Sequence, residues 1–262
     1  EFCRNVPVLV QILLWYAVIL KLPREALTLG DSIFLSNRGF YLPKPLFEPG
    51  MWAVFIALIA GIAGAIYVKR HADVKQAETG KRPPAGLIGA ALVIFLPLLA
   101  YFAMGGPMTL EIPEATRFNV RGGLYVLPEF VALTLALSIY TGAFITEIVR
   151  SGILSVSRGQ TEAAFALGIK PSWTMRLIIL PQALRVIIPP LTSQYLNLTK
   201  NSSLAIAIGY MDIVATLGGI TLNQTGQAVM CILLLMLIYL SFSLFISFLM
   251  NIYNRHVKLV ER

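Results

Sequence analysis

Long apolar runs alternate with short charged segments along the whole chain. Six of these runs predict membrane-spanning helices, at residues 5–20, 51–68, 85–104, 130 to about 149, 186 to about 208, and 227 to near 251. A bilayer core about 30 Å thick is crossed by roughly 20 helical residues, whose backbone polar groups bond to one another. The first run is slightly shorter than that length. The pattern therefore predicts an all-α integral membrane protein, folded as a single transmembrane domain over residues 1–262.

Composition and charge exclude other classes of protein. The chain is 57% hydrophobic and only 13% charged, whereas a soluble fold of this length would carry more charge. Its net charge of +8 is compatible with a nucleic-acid surface, but the lysines and arginines are spread over several short segments between apolar runs. That distribution is typical of membrane orientation, so no nucleic-acid partner is expected. The two cysteines, Cys3 and Cys231, indicate neither a disulfide framework nor a metal site.

The basic residues indicate which ends of the predicted spans face the cytoplasm. Arg4, the loops 69–82 and 150–185, and the tail from Arg255 hold about two thirds of all lysines and arginines, at alternating ends of the six spans. Because positively charged loops stay on the cytoplasmic side, these segments and the C-terminus are predicted to be cytoplasmic. The first residue is glutamate and not methionine, so further spans are expected before it.

The charged segment between the fourth and fifth predicted spans has the composition of a docking helix. Thr161 can cap a helix whose first turn carries Glu162, a carboxylate that complements the helix dipole. Ala163 and Ala164 have short side chains that favour a helix, so a partner can approach closely. Gly168 can then end the helix in a left-handed conformation. The alternative is a solvated loop helix that contacts no partner.

The same segment resembles the signature loop of a known family. The pattern is Glu-Ala-Ala, three residues, Gly, nine residues, Ile, one residue, Leu-Pro, and it is filled by Glu162, Ala163, Ala164, Gly168, Ile178, Leu180 and Pro181. It is similar to that of the membrane subunits of bacterial binding-protein-dependent ABC importers. Residues 141–153 and 4–11 also resemble segments of polar amino-acid permeases, and in particular of the general L-amino-acid permease subunits.

The resemblance implies the fold and the partners of an importer subunit. The fold would be the helical bundle of an ABC-importer transmembrane domain, with residues 150–185 as its cytoplasmic coupling loop. The residues implied in contact with the ATPase are Glu162, Ala163, Ala164 and Gly168. The implied partners are a second, homologous permease subunit, ATPase subunits, a periplasmic solute-binding protein and the amino-acid substrate. The implied location is the bacterial inner membrane.

The importer hypothesis assigns the ATP chemistry to another chain. The sequence has no Gly-rich loop ending in Gly-Lys-Ser or Gly-Lys-Thr, so ATP and Mg²⁺ are expected on the ATPase and no cofactor on this chain. The chain itself is then a transport subunit and not an enzyme, and it would work by alternating access. A membrane-embedded enzyme would need clustered acids, histidines or a nucleophile with its base, and an ion-gradient-driven carrier commonly has an inverted repeat. Neither pattern is found in the sequence.

The fifth predicted span contains a polar stretch that is costly in a membrane. At about 1.5 Å per residue from residue 186, Lys200 would lie roughly 20 Å above the cytoplasmic surface. A lysine inside the hydrocarbon core costs on the order of 3 kcal/mol unless it meets a partner or water. Polar neighbours can line an interrupted helix beside a cavity. The predicted substrate pathway is therefore formed by Asn197, Lys200, Asn201, Ser202 and Ser203.

A zwitterionic amino acid presents one charge of each sign to this stretch. Lys200 can bind its carboxylate, and side-chain oxygens of Asn201 or Ser202 can bind its ammonium group. Alternatively, Lys200 extends towards the membrane surface or pairs with an acid of the second permease. Glu147 is the weaker candidate for a ligand, because an ion pair between helices, with Arg150 beside it, is the simpler interpretation.

Residues 22–128 separate two segments that follow each other closely in most polar amino-acid permeases. They hold two predicted spans, and an even number of added spans leaves the topology downstream unchanged. We therefore predict an insertion that carries a two-span hairpin. A hairpin that packs in lipid is favoured over a second substrate site.

Overall fold

The computed structural model describes residues 2–23, 27–30, 32–80, 83–116 and 120–257 of the chain. The predicted loop residues Lys81 and Arg82 and the basic tail from Lys258 lie outside these ranges. The chain divides into two compact units. The first comprises Glu1–Arg24, Ser36–Gly39 and Val126–Arg262, and the second comprises Glu25–Leu35 and Phe40–Tyr125.

Helices make up most of the described chain. In chain order they are α1 (Phe2–Asn5), α2 (Val8–Leu20), α3 (Met51–Thr79), α4 (Ala85–Ala103), α5 (Pro128–Leu154), α6 (Arg158–Ala166), α7 (Pro171–Thr174), α8 (Leu180–Asn201), α9 (Leu222–Thr225) and α10 (Ala228–Val257). Met175–Ile179 and Val214–Thr221 have the wider π-helical geometry, and Ser202–Ile208 has the tighter 3-10 geometry. Because these segments directly continue the helices beside them, Pro171–Ile208 is one helical stretch.

Five helical stretches of the described chain are long and apolar enough to cross a bilayer. They are α3, α4, α5, Pro171–Ile208 and α10. α2 has 13 residues, which is short of the roughly 20 that a span needs. The helical, multi-span architecture is therefore confirmed, whereas the predicted count of six spans is not.

Pro7 interrupts the first apolar run and separates α1 from α2. Proline lacks an N–H, and the residue before it is pushed away from the α region, so the helix restarts after Pro7. The buried Gln11 donates from Nε2 to the carbonyl oxygens of Cys3 at 2.8 Å and Val6 at 3.0 Å. Its side chain thus bonds to backbone acceptors around the break.

α3 continues through the segment predicted as a cytoplasmic loop. The apolar run ends at Val68 but the helix ends at Thr79, so the predicted loop at 69–82 is wrong over most of its length. The end of an apolar run marks where contact with lipid ends, whereas the lysine, alanine, glutamine and glutamate residues beyond it still favour a helix in water. Gly80, with a φ of 69°, ends α3, and its N–H donates to the carbonyl of Gln76.

Among the described residues, eight short strands lie before α3 and after α4. They are β1 (Leu27–Leu29), β2 (Ile33–Ser36), β3 (Gly39–Leu42), β4 (Lys44–Phe47), β5 (Met108–Glu111), β6 (Glu114–Ala115), β7 (Val120–Arg121) and β8 (Leu124–Val126). One sheet has the order β1-β2-β3-β8, and antiparallel pairs join β4 to β5 and β6 to β7. Strands of two to four residues are too short to show an alternating pattern, so the sequence predicts none of them.

Two polar contacts establish α2 and α5 as antiparallel neighbours in the first unit. Nη1 of Arg4 in α1 lies 3.7 Å from Oε2 of Glu147 near the end of α5. At the other end of the pair, the Tyr16 hydroxyl donates to Oε1 of Glu129 at 3.0 Å. Ile12 lies between these contacts in α2 and is fully buried. Arg4 and the segment that follows α5 are therefore at the same end of this helix pair.

In the second unit, α3 and α4 pack as a close antiparallel hairpin. A Cβ atom on Gly61 would lie 2.7 Å from the carbonyl oxygen of Leu92. A Cβ on Gly89 would lie 3.3 Å from the Cβ of Ala65. Small residues at these crossing points let the two backbones approach, as they do between helices within membranes.

Replacing Gly61 with alanine is expected to destabilise this hairpin by roughly 1–3 kcal/mol, because the added methyl group meets backbone that cannot rotate away. Thermal unfolding of the purified protein in detergent measures the effect. The matched control is Gly86→Ala on α4, where a Cβ has no atom within 4 Å, and its melting temperature should equal or slightly exceed that of the wild type. Equal melting temperatures for both variants would contradict the close packing at Gly61.

Candidate functional site

The predicted docking helix is present as α6, but it begins earlier than expected. Its N-cap position is Ser157, whose backbone is extended with φ −61° and ψ 141°, and no side chain bonds to the first turn. The predicted cap at Thr161 is therefore wrong, because Thr161 lies within the helix. Arg158, Gly159 and Gln160 do not prevent helix formation, so the helix starts where the extended backbone ends.

Gly168 ends α6 in the left-handed conformation that the sequence predicts, with a φ of +71°. The N–H of Gly168 donates to the carbonyl of Phe165 at 2.9 Å, and the N–H of Ile169 donates to that of Ala164 at 3.0 Å. These two bonds form a Schellman motif, which pairs the last carbonyls of a helix and sets the direction of the chain beyond it. Glycine allows this φ because it has no Cβ.

α6 presents most of the signature residues to solvent. Ala164 is only 2% exposed, whereas Glu162 and Ala163 are exposed. Phe165 is 52% exposed and Leu167 is 78% exposed. We call Glu162, Ala163, Phe165 and Leu167 the α6 surface. An exposed aromatic side chain one turn from a carboxylate, with a further exposed apolar side chain at the end of the helix, is typical of a surface that a partner protein covers.

The second half of the predicted loop 150–185 belongs to the helical stretch that contains the fifth predicted span. This stretch begins at Pro171 and not at residue 186. Lys170, the residue before this stretch, has an extended backbone. Pro171 takes the first helical position, where a missing N–H costs nothing. A continuous helix therefore connects the end of the signature segment to the polar stretch around Lys200.

The helix changes geometry within the polar stretch. α8 ends at Asn201, and the next seven residues, Ser202–Ile208, form the 3-10 segment. The Ser202 hydroxyl donates to the carbonyl of Thr199 at 2.7 Å, and the Ser203 hydroxyl donates to that of Lys200 at 2.6 Å. Serine hydroxyls that bond to carbonyls of the preceding turn compete with the α-helical pattern, which accounts for the tightening at this point.

Two cavities in the first unit adjoin this stretch. The first, which we call the Lys200 cavity, has a volume of about 670 Å³, within the roughly 300–1,000 Å³ usual for ligand sites. Its walls are apolar except for Lys200, Ser203, Tyr239 and Ser243. The second, which we call the Ser202 cavity, has a volume of about 380 Å³, and its polar lining residues are Thr199, Ser202 and Tyr239.

The structure divides the predicted pathway residues between these cavities. Lys200 and Ser203 line the Lys200 cavity, and Ser202 lines the other. Asn197 and Asn201 are not among the lining residues of either cavity in the described chain. Successive helical residues are about 100° apart, so Ser202 and Ser203 face different sides, whereas Lys200 and Ser203, three apart, share one.

Two lining residues, Tyr239 and Ser243 of α10, are not among the pathway residues predicted from the sequence. They are four residues apart, so they lie on one face of the helix, and both carry a hydroxyl within an otherwise apolar run. That spacing is a signal that identifies the polar face of α10. The sequence does not reveal which helix this face meets, because that depends on packing between distant segments.

Glu147 is engaged in ion pairs at the end of α5. Its Oε2 lies 3.7 Å from Arg4 and 3.8 Å from Arg150. Arg150 is on the same helix as Glu147, so the partner between helices is Arg4 and not Arg150. Pairs as exposed as these contribute about 0–1 kcal/mol to stability, so they orient the helix ends more than they stabilise them.

These features define a class of protein. The chain combines helices long and apolar enough to span a membrane, an exposed helix between two of them, and a cavity beside a lysine in one of the spans, as multi-pass transport proteins do. Within the described residues, no group of histidine, cysteine, aspartate or glutamate side chains could hold a metal ion.

The chain belongs to the family of binding-protein-dependent transport system inner membrane components, whose sequence profile matches residues 87–259. The resemblance of the signature segment to this family is confirmed.

Relatives align over the whole chain. The general L-amino acid transport system permease protein AapQ of Rhizobium johnstonii is 51% identical over 100% of this chain and 66% of its own length. The putative amino-acid ABC transporter permease protein YhdX of Escherichia coli is 50% identical over 100% and 67%. The glutamate/glutamine/aspartate/asparagine transport system permease protein BztB of Rhodobacter capsulatus is 45% identical over 100% and 69%. The chain thus spans about two thirds of these relatives' lengths.

A solved structure gives a weaker match. A crystal structure of an amino acid ABC transporter with histidines has a TM-score of 0.44 and 24% sequence identity. The comparison covers 79% of this chain and 90% of that chain.

Proposed function

We propose that this chain is a permease subunit of an ATP-driven importer that receives amino acids from a solute-binding protein and moves them across the inner membrane by alternating access. The observation that carries the proposal is the 670 Å³ Lys200 cavity, in a chain whose relatives are named as amino-acid permeases. Lys200 supplies a fixed positive charge in apolar surroundings, where an amino-acid carboxylate is its natural counter-ion.

The α6 surface, together with Ala164 and Gly168, is the proposed contact with the ATPase. Closure of two ATPase subunits around ATP and Mg²⁺ would move α6 as a rigid body. Because the Schellman motif at Gly168 sets the direction of the chain towards Pro171, that motion is transmitted along the continuous helix to Lys200. No ATP chemistry is assigned to this chain.

The proposed pathway combines the predicted residues with those of α10. Lys200 binds the carboxylate end of the substrate in the Lys200 cavity, which Ser203 also lines, and Ser202 belongs to the adjoining cavity. Asn197 and Asn201 are proposed to contact the substrate in another state of the transport cycle or to face the second permease subunit. The ammonium group then meets oxygen acceptors, such as the serine hydroxyls, rather than a carboxylate.

The proposed orientation places Arg4, the loop 150–185 and the C-terminus in the cytoplasm. The contact between Arg4 and Glu147 supports this arrangement, because it brings two of the basic segments to one end of the α2–α5 pair. Residues 22–128 are proposed as an insertion whose α3–α4 hairpin packs in lipid.

Reconstitution tests the proposal. The full-length gene product is coexpressed with its second permease and ATPase subunits, purified, and placed in liposomes with the solute-binding protein supplied outside. We expect amino-acid uptake that requires both internal ATP and the binding protein. Uptake that persists without the ATPase and follows an imposed ion gradient would identify a secondary carrier instead.

A further inference from the structure

Tyr239 of α10 lies between the two cavities. It lines both the Lys200 cavity and the Ser202 cavity, and no other described residue is common to the two sets of lining residues. On the same helix, Leu240 lines only the Lys200 cavity and Phe242 lines only the Ser202 cavity. Tyr239 therefore borders both of these spaces.

The Tyr239 hydroxyl is within hydrogen-bonding reach of the side chains of Ser202 and Ser203, one from the lining of each cavity. Both serine hydroxyls donate their protons to helix carbonyls, and the phenol has a single proton, so it can donate to only one of the two serine oxygens at a time. The side chain of Tyr239 thus connects α10 to the point where α8 passes into the 3-10 segment.

The two serines near the phenol lie where the helix changes its geometry. Ser202 begins the 3-10 segment, and its hydroxyl bond to Thr199 contributes to the change of helical geometry. A rotation of α8 relative to α10 would change which serine faces the phenol. A large, flat side chain with few rotamers is suited to close a passage in one arrangement and to open it in another.

We propose that Tyr239 is a specificity-determining residue whose ring limits the size of the amino-acid side chain that passes between the Lys200 cavity and the Ser202 cavity. This inference rests on the proposed function, in which the substrate carboxylate binds at Lys200. The substrate side chain then extends along apolar wall towards the ring. Small side chains pass the ring, and bulky ones meet it.

The test compares uptake of a large and a small amino acid, both of which bind the solute-binding protein, by the reconstituted full assembly. The same binding protein is present in every reaction, so its preference cancels between variants. We expect Tyr239→Ala to raise the ratio of kcat/KM for the large substrate to that for the small one by about tenfold, the lower end of what a filled or emptied apolar site gives. If that variant does not assemble, the same ratio is measured in Tyr239→Leu, which retains apolar bulk but lacks the ring, and it should also rise.

Two matched variants separate this role from general loosening of α10. Leu244→Ala truncates an exposed side chain of α10 that is in the lining of neither cavity, and Tyr239→Phe keeps the ring and loses the hydroxyl. Both should keep the ratio within about twofold of the wild type. An unchanged ratio in Tyr239→Ala and Tyr239→Leu, or an equal rise in Leu244→Ala, would overturn the inference. Absence of ATP-dependent uptake by the wild type would instead refute the proposed function.

Discussion

Replacing Gly168 with valine is expected to lower ATP-driven uptake at least about tenfold while the protein still inserts and assembles. At a φ of +71°, an L-residue is disfavoured by roughly 1–2 kcal/mol, and a β-branched side chain adds crowding. A Cβ at this position would meet no atom within 4 Å, so the effect acts through the backbone and not through a clash. About 1.4 kcal/mol corresponds to a factor of ten in an equilibrium, which sets the expected size.

The physical consequence of Gly168→Val is loss of the Schellman motif. Without its two bonds, from Gly168 to Phe165 and from Ile169 to Ala164, the direction of the chain from α6 to Pro171 is no longer determined. The ATPase would then move a helix that is loosely connected to the stretch carrying Lys200. We therefore expect ATP hydrolysis to continue without matching uptake, a loss of coupling that parallel assays of both activities detect.

Gly159→Val is the matched control for this experiment. Gly159 lies in the first turn of α6, and its φ is not positive. As at Gly168, a Cβ there would have no atom within 4 Å. The same substitution at this site should retain most of the uptake. If Gly168→Val and Gly159→Val transport equally well, the end of α6 does not carry the coupling.

Replacing Lys200 with methionine is expected to raise the KM for uptake by roughly 10- to 150-fold, because a hydrogen bond to a charged group contributes about 1.5–3 kcal/mol. Methionine is unbranched and close in size to the apolar stem of lysine, and it lacks the ammonium group. The change therefore removes the charge and its hydrogen-bond donors from the Lys200 cavity with little change in side-chain bulk. Initial rates over a range of substrate concentrations separate KM from kcat.

Lys200→Arg provides the comparison, because it keeps the positive charge in the same cavity and should recover much of the affinity. Arginine is larger and flatter, so complete recovery is not expected. A normal KM in Lys200→Met would assign Lys200 to the structural alternative, in which it extends to the membrane surface or pairs with the second permease. A loss of thermal stability in Lys200→Met with an unchanged KM would also support the structural alternative.

The helices could be predicted from sequence because their signal is local. An apolar run of about 20 residues has few ways to satisfy its backbone in lipid other than a helix, so the spans in α3, α4, α5 and α10 follow from composition alone. Errors occur where the apolar signal ends but the helix does not, as beyond Val68 in α3 and before residue 186 in the stretch from Pro171. At these boundaries, intrinsic propensity decides the helix end, and glycine or proline marks it.

The candidate site was only partly predictable, because a cavity is made by segments that are far apart in sequence. Lys200 could be singled out because a charge within an apolar run is costly wherever that run packs. Tyr239 could not, since a tyrosine within a membrane helix is unremarkable until its neighbours are known. Asn197 and Asn201 have the same chemistry as residues that line the cavities, but the rotation of the helix turns them elsewhere.

By itself, the sequence determined the membrane class, the family signature, the left-handed end of α6 at Gly168 and the cost of placing Lys200 inside a membrane. Each of these depends on one residue and its immediate neighbours, where steric limits and the cost of burying charge operate over a few ångströms. Tertiary structure alone decided that Ser202 and Ser203 face different cavities, that Tyr239 lies between them, and that Arg4 pairs with Glu147. These relations depend on how helices distant in sequence rotate and pack, because packing is settled by the sum of many weak contacts across the whole unit.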